Sequence, residues 1–128
     1  MKKVIASKAV PAAIGPYSQA IAVDGPKRMI FLSGQIGLDP GTGQLVSGGT
    51  EAEAKQVMKN IESLLKECDA NFSHVVKSTI FLKDFNDFAL VNQIYGSHFP
   101  KEPPARSTVE ASRLPRDAKI EIECIVAI

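Results

Sequence analysis

The sequence predicts an α+β fold, a mixed β-sheet with two helices packed on one face, in the order β-β-α-β-α-β-β. Three observations carry this expectation. Two segments repeat apolar residues at helical spacing, and β-branched segments flank them. Two helices are too few to cover both faces of a sheet, so a single helical layer is the economical arrangement. At 128 residues the chain reads as one domain, 1–128, large enough to bury a core without disulfides or metal.

Residues 17–23 (YSQAIAV) and 29–36 (MIFLSGQI) are strand-like. The link between them, Asp24-Gly25-Pro26-Lys27-Arg28, is turn chemistry and predicts a hairpin. Residues 37–49, with five glycines and a proline, form an irregular connection. Thr50 and Glu53 then read as a capping box. Ala54, Val57, Met58, Ile61, Leu64, Leu65 and Cys68 follow at helical spacing, opposite a face of Lys, Gln and Glu. Val75–Leu82 is a strand. Residues 86–99 predict a second helix capped by Asn86, which Pro103 and Pro104 cannot continue. Arg106–Ala111 and Lys119–Ile128 are the last strands. Helices between strands imply crossovers, hence a partly parallel sheet. On the last strand Glu121 and Glu123 share a side with Ile125 and Ala127. A face both apolar and charged points to a subunit interface with a polar site in it.

Composition narrows the function. Fifteen basic and 14 acidic residues leave a net charge of +1, and Trp is absent. Neither a basic footprint nor a base-stacking platform for nucleic acid is indicated. The N-terminal stretch lacks the apolar run of a secretory signal, and no segment approaches a membrane span. Cys68 and Cys124 read as buried thiols in a reducing compartment. A cytoplasmic location is expected, or a mitochondrial one had a presequence been removed. His74 and His98 have no ligand partner at metal-binding spacing, so no metal is expected. The glycines at 41 and 43 lack the Lys-Ser/Thr of a phosphate loop.

The polar candidates sit in stiff or buried settings. Asn92 shares the apolar face of the second helix with Phe88 and Tyr95. Its amide either ties down a loop or contacts a ligand. Arg106 follows Pro103-Pro104-Ala105 and opens an alternating strand. Its planar guanidinium suits a two-point grip on a carboxylate. That carboxylate is either an internal Glu121 or Glu123, or a ligand. Tyr17 follows Ile14-Gly15-Pro16, and Ser33-Gly34-Gln35 ends a strand where Gly34 permits a close backbone approach.

Four stretches carry a resemblance: PAAIGPYSQA (11–20), SGQIGLDPGTGQL (33–45), VVKSTIFLKDFNDFALVNQIY (75–95) and PARSTVEASRLPRDAKIEIE (104–123). Together they resemble the RidA/YjgF family over nearly the whole chain, and the last stretch is the family's signature. The resemblance implies a chorismate-mutase-like fold, a homotrimer with ligand clefts between subunits, and enamine/imine deaminase activity without a cofactor. Its substrates would be 2-aminoacrylate-derived 2-imino acids released by pyridoxal-phosphate enzymes, and its products 2-keto acids and ammonia. An endoribonuclease or translation-inhibitor activity, or a non-enzymatic regulator or chaperone role, is the alternative attached to such proteins. On this resemblance Arg106 clamps the substrate carboxylate and Glu121 handles the attacking water. Tyr17, Ser33, Gly34, Asn92 and Thr108 line the cleft. Thr108 departs from the family, because many members carry Cys there. A role for the backbone carbonyl would survive the change, whereas a role for a thiol would not.

Overall fold

The computed structural model describes residues 2–128. Among the described residues six strands and two α-helices are formed: β1 (Lys2–Ile5), β2 (Ala20–Val23), β3 (Met29–Gln35), α1 (Gly49–Glu67), β4 (Val75–Leu82), α2 (Phe88–Gly96), β5 (Ala105–Glu110) and β6 (Ile120–Ala127). The main sheet runs β3-β6-β4-β5. β6 is antiparallel to both neighbours, and β4 is parallel to β5 across the α2 crossover. The α+β expectation and the partly parallel sheet therefore hold. Among the described residues no helix is long and apolar enough to cross a membrane.

The expected hairpin between the first two predicted strands does not form. β2 pairs with β1, an N-terminal strand that the sequence reading missed, in a separate two-stranded sheet. The turn residues between β2 and β3 serve another purpose. Lys27 N and Arg28 N donate to Ile128 O, and Ile128 N donates back to Arg28 O. The link is thereby fastened to the C-terminus, and β3 pairs with β6.

Both expected helix caps also differ. The N-cap of α1 is Gly48, at φ 117°, a conformation that suits glycine. Thr50 and Glu53 are taken by longer-range partners: Thr50 Oγ1 donates to Asp87 Oδ2 at 2.7 Å, and Glu53 Oε1 accepts from Lys119 N at 2.8 Å. A 3-10 turn at Phe85–Asp87 precedes α2, and the side chain of Asp84, not Asn86, caps it.

The core lies between the helices and one face of the main sheet. Val57, Met58, Ile61 and Leu65 of α1 and Val91 and Tyr95 of α2 are fully buried against Ile80, Leu82, Ile120, Ile122 and Val126. Each such side chain contributes about 1.5–3 kcal/mol through burial. Cys124 shares this face, and burial pushes its thiol up to about 12. Cys68 is only half-buried, at the C-cap of α1.

The opposite face carries no helix. Register places Phe31 beside Ile125, Thr79 between Glu123 and Ser107, and Phe81 between Glu121 and Val109. Phe31 is 71 % exposed there and Val109 44 %.

Candidate active site

Two clusters hold the candidate residues, on opposite faces of the sheet. The first surrounds Arg106. Registered opposite the buried Ser78, Arg106 projects to the helical side of β5. Its guanidinium carbon lies 5.6 Å from the ring centroid of Tyr17, 5.7 Å from that of Phe88 and 5.3 Å from that of Tyr95. Rings at this range attract a cation by about 0.5–2 kcal/mol each. Tyr95 is fixed in turn by a buried hydrogen bond between its hydroxyl and Ser78 Oγ.

Arg106 Nη1 donates to Asn92 Oδ1 at 2.7 Å, so the half-buried amide of α2 orients the guanidinium. The internal partnership with Glu121 or Glu123 does not exist. β6 turns both carboxylates to the other face, and the ion pairs formed among the described residues are Lys55–Glu51 and Lys66–Glu62. Burial pushes the Arg106 guanidinium below its ordinary value, against the opposing influence of Tyr95 and Tyr17. A guanidinium nevertheless stays charged at neutral pH. The result is a half-buried cation, oriented by one amide, with donors left for a ligand.

Gly15 closes this cluster. A methyl group there would lie 3.6 Å from Arg106 Nη2 and 3.8 Å from both Asn92 Nδ2 and the Tyr17 ring. Gly15, Phe88 and Tyr95 were not singled out as site residues from the sequence. The helical spacing of Phe88, Asn92 and Tyr95 was the available signal. Thr108, two residues beyond Arg106 on the same face, has a buried Oγ1 with no hydrogen-bond partner among the described residues.

The second cluster sets Glu121 against Gly34, with Ser33 the preceding residue of the same strand. A bulge in β3 between Leu32 and Gln35 breaks its register with β6 at Ser33-Gly34. The Glu121 side chain occupies the space above Gly34. A Cβ at that position would overlap the carboxylate, with Glu121 Cδ only 2.9 Å away. The close approach that Gly34 permits within one chain is thus to Glu121. Glu123, on the same side, is exposed.

The histidines have local duties. His74 Nδ1 accepts from Asn71 N in a capping box, and His98 packs against Phe72 at 4.9 Å between ring centroids.

This fold presents a small α+β domain with an uncovered sheet face and an Arg-centred polar cluster at its edge. A protein-family model described as Endoribonuclease L-PSP matches residues 7–128. The chain belongs to that family, the RidA/YjgF family of the sequence resemblance. It is 50 % identical over 98 % of its length to the mouse protein named 2-iminobutanoate/2-iminopropanoate deaminase, covering 90 % of that protein. It is 53 % identical to Protein DfrA of Myxococcus xanthus, over 97 % of this chain and 94 % of the other. The solved structure of a Rid-family protein from Yersinia pestis superposes with a TM-score of 0.76 at 44 % identity, with both chains fully covered.

Proposed function

We propose that this protein is an enamine/imine deaminase. It hydrolyses 2-imino acids such as 2-iminopropanoate and 2-iminobutanoate to 2-keto acids and ammonia. Relatives carrying that activity in their names match it at about half identity along nearly the whole chain. The observation that carries the reading is Arg106, a half-buried cation walled by aromatic rings, with an amide and no carboxylate as its protein partner. Such a group suits a small organic carboxylate, whose two oxygens can accept two parallel N–H donors.

Arg106 and Glu121 face opposite sides of one sheet, so a single chain does not bring them together. A homotrimer whose clefts set the Arg106 cluster of one subunit against the Glu121 cluster of the next would supply both. The exposed Phe31 and Val109 on the uncovered face fit burial in that contact. In the cleft, Arg106 holds the imino acid by its carboxylate, and Tyr17 and Asn92 confine it. Glu121 takes a proton from water as the water oxygen bonds to the imine carbon. Glu121 returns that proton to the nitrogen, which gives the neutral carbinolamine, and then passes the hydroxyl proton to the nitrogen as well; the C–N bond breaks, ammonia leaves and the C=O bond forms. Positioning and one acid–base group suffice, because the imine is already electrophilic. Two free cysteines fit a reducing compartment, and the cytoplasm is the proposed location.

The name of the family model refers to RNA cleavage. The chain offers that chemistry little: the charge is balanced, and both histidines are engaged locally.

The test is to generate 2-aminoacrylate with a dehydratase and follow imine loss with wild type, Arg106→Ala, Glu121→Gln, and the two variants refolded together. Wild type should accelerate the reaction and each variant should lose it. Co-assembly should restore intact clefts at about a quarter of the sites by random assortment. Wild type that gives no acceleration would defeat the deaminase reading, and a mixture as inactive as its parts would defeat the shared cleft.

A further inference from the structure

Three successive carbonyls lead into Arg106, and the N-terminal segment holds all three. Lys2 Nζ donates to Glu102 O at 2.9 Å, Ser18 Oγ donates to Pro103 O, and Ser18 N donates to Pro104 O at 3.1 Å. Ser18 is 6 % exposed and forms a parallel bridge with Ala105, extending the sheet beyond its edge strand by one residue. Lys2 Nζ also donates to Ser73 O and Val75 O, each at 3.2 Å, tying the same segment to the start of β4.

This segment has few means of fixing itself. Pro103 and Pro104 have no N–H to offer. Glu102 sits at φ 46°, left-handed backbone that a non-glycine residue adopts only when its surroundings impose it. β5 is an edge strand of the main sheet, so its open side gains order from whatever docks there. Ser18 is also the residue after Tyr17, whose ring walls the guanidinium. One serine therefore joins the peptide that carries the wall to the peptide that carries the clamp.

We propose that Ser18, backed by Lys2, is a positioning residue for Arg106. It touches no substrate and acts by fixing the backbone at 103–105 from which the guanidinium is aimed. The inference rests on the carboxylate-clamp reading of Arg106. Arg106 would hold the carboxylate in ground and transition states alike, so a misplaced clamp raises KM and leaves kcat nearly intact.

The experiment measures imine hydrolysis, and separately the binding of 2-ketobutyrate by calorimetry, for Ser18→Ala, Ser18→Thr and Lys2→Met. Ser18→Ala is also made in the Arg106→Ala background. Ser18→Ala should raise KM and the keto-acid Kd about tenfold, the scale of one lost buried hydrogen bond, with kcat within about twofold. Ser18→Thr, which keeps the hydroxyl, should restore affinity. In the Arg106→Ala background Ser18→Ala should add nothing, because its effect passes through the missing guanidinium. Lys2→Met should raise Kd about threefold, and it keeps the proposal testable if Ser18→Ala does not fold. Equal losses in both backgrounds, an unchanged Kd, or a fall confined to kcat would each overturn the proposal. Wild type that binds the keto acid but hydrolyses no imine removes the deaminase reading and leaves the positioning test standing. Wild type that binds no carboxylate overturns both.

Discussion

The two faces of β6 are built from alternate residues of one eight-residue strand, yet they obey different rules. Ile120, Ile122, Cys124 and Val126 are at most 3 % exposed and meet a helical layer. Glu121, Glu123 and Ile125 meet no layer in the same chain. The packed face is complete, since its shape complementarity comes from α1 and α2. The open face mixes carboxylates with Phe31, Phe81 and Val109, a combination that is costly to bury unless something pairs the charges. A strand that spends every second position on stability leaves the others free for chemistry, and in the proposed trimer those positions become a pocket against a second copy.

The largest test of this division lies at Arg106, the half-buried cation of the helical side that we propose grips the substrate carboxylate. Arg106→Ala should lower kcat/KM about a thousandfold, since removing one partner of a buried, hydrogen-bonded charge pair costs roughly 2–5 kcal/mol. Stability to thermal unfolding should fall by less than the activity does, because what is released within the protein is one hydrogen bond to Asn92 and the contacts with the Tyr17, Phe88 and Tyr95 rings. A loss of stability matching the loss of activity would make Arg106 a structural member of the packed layer instead.

Next in size is Ile122 against its neighbour Glu123. Ile122→Ala should destabilise the chain to urea by about 2–5 kcal/mol through the cavity it leaves. Glu123→Ala should stay within about 0.5 kcal/mol, as an exposed substitution does. Comparable costs at the two positions would mean that the faces are not energetically distinct. Gly34→Ala tests the open face more sharply. The added methyl would displace the Glu121 carboxylate, and a shift of about 1 Å at a reacting group can cost a hundredfold in rate. On the proposed roles, activity should fall by about that factor while carboxylate affinity, assigned to Arg106 on the other face, is retained. Measuring both constants separates the two clusters.

Much of this division was legible in the sequence, but unevenly. Period-two and period-3.6 patterns reported the packed face well, since Ile120, Ile122, Val57 and Ile61 are where those rules place them. The same periodicity raised the odd row of β6 as an interface. What it could not report was pairing between distant segments. The hairpin was expected because turn residues join two apolar runs, but Arg28 and Lys27 instead bind Ile128, which no local rule foresees. Thr50 and Glu53 have the spacing of a capping box, yet their partners lie 37 and 66 residues away. The site divides in the same way. Asn92 and Arg106 stood out locally, and their contact joins α2 to β5. Lys2 and Ser18 act through backbone carbonyls a hundred and 85 residues on, where the sequence carries no side-chain signature. Arg106 and Glu121 on opposite faces followed from topology, which had to be seen before the alternation could be read correctly.

The smallest expected effect concerns pH and asks whether the packed face excludes charge. Burial pushes the Cys124 thiol up to about 12 from 9.0, and Glu123 adds to the shift. Burial also pushes the Tyr95 phenol up, with its hydrogen bond to Ser78 acting against the shift. Both are acids that the folded chain keeps protonated. Above about pH 9 the unfolded chain releases these protons and the folded chain does not, so the unfolded state binds fewer protons and stability falls as pH rises. The contribution is fully present below pH 9.0 and is lost progressively towards the folded value of about 12. Urea midpoints should therefore decline between about pH 9 and pH 11 in the wild type. Cys124→Ala and Tyr95→Phe should each begin from their own lower stability at neutral pH but decline less steeply. The slope, not the starting value, is the measurement, because it isolates proton release from the cavity or lost hydroxyl. An unchanged slope in both variants would mean that water or charge already reaches the face that the helices seal.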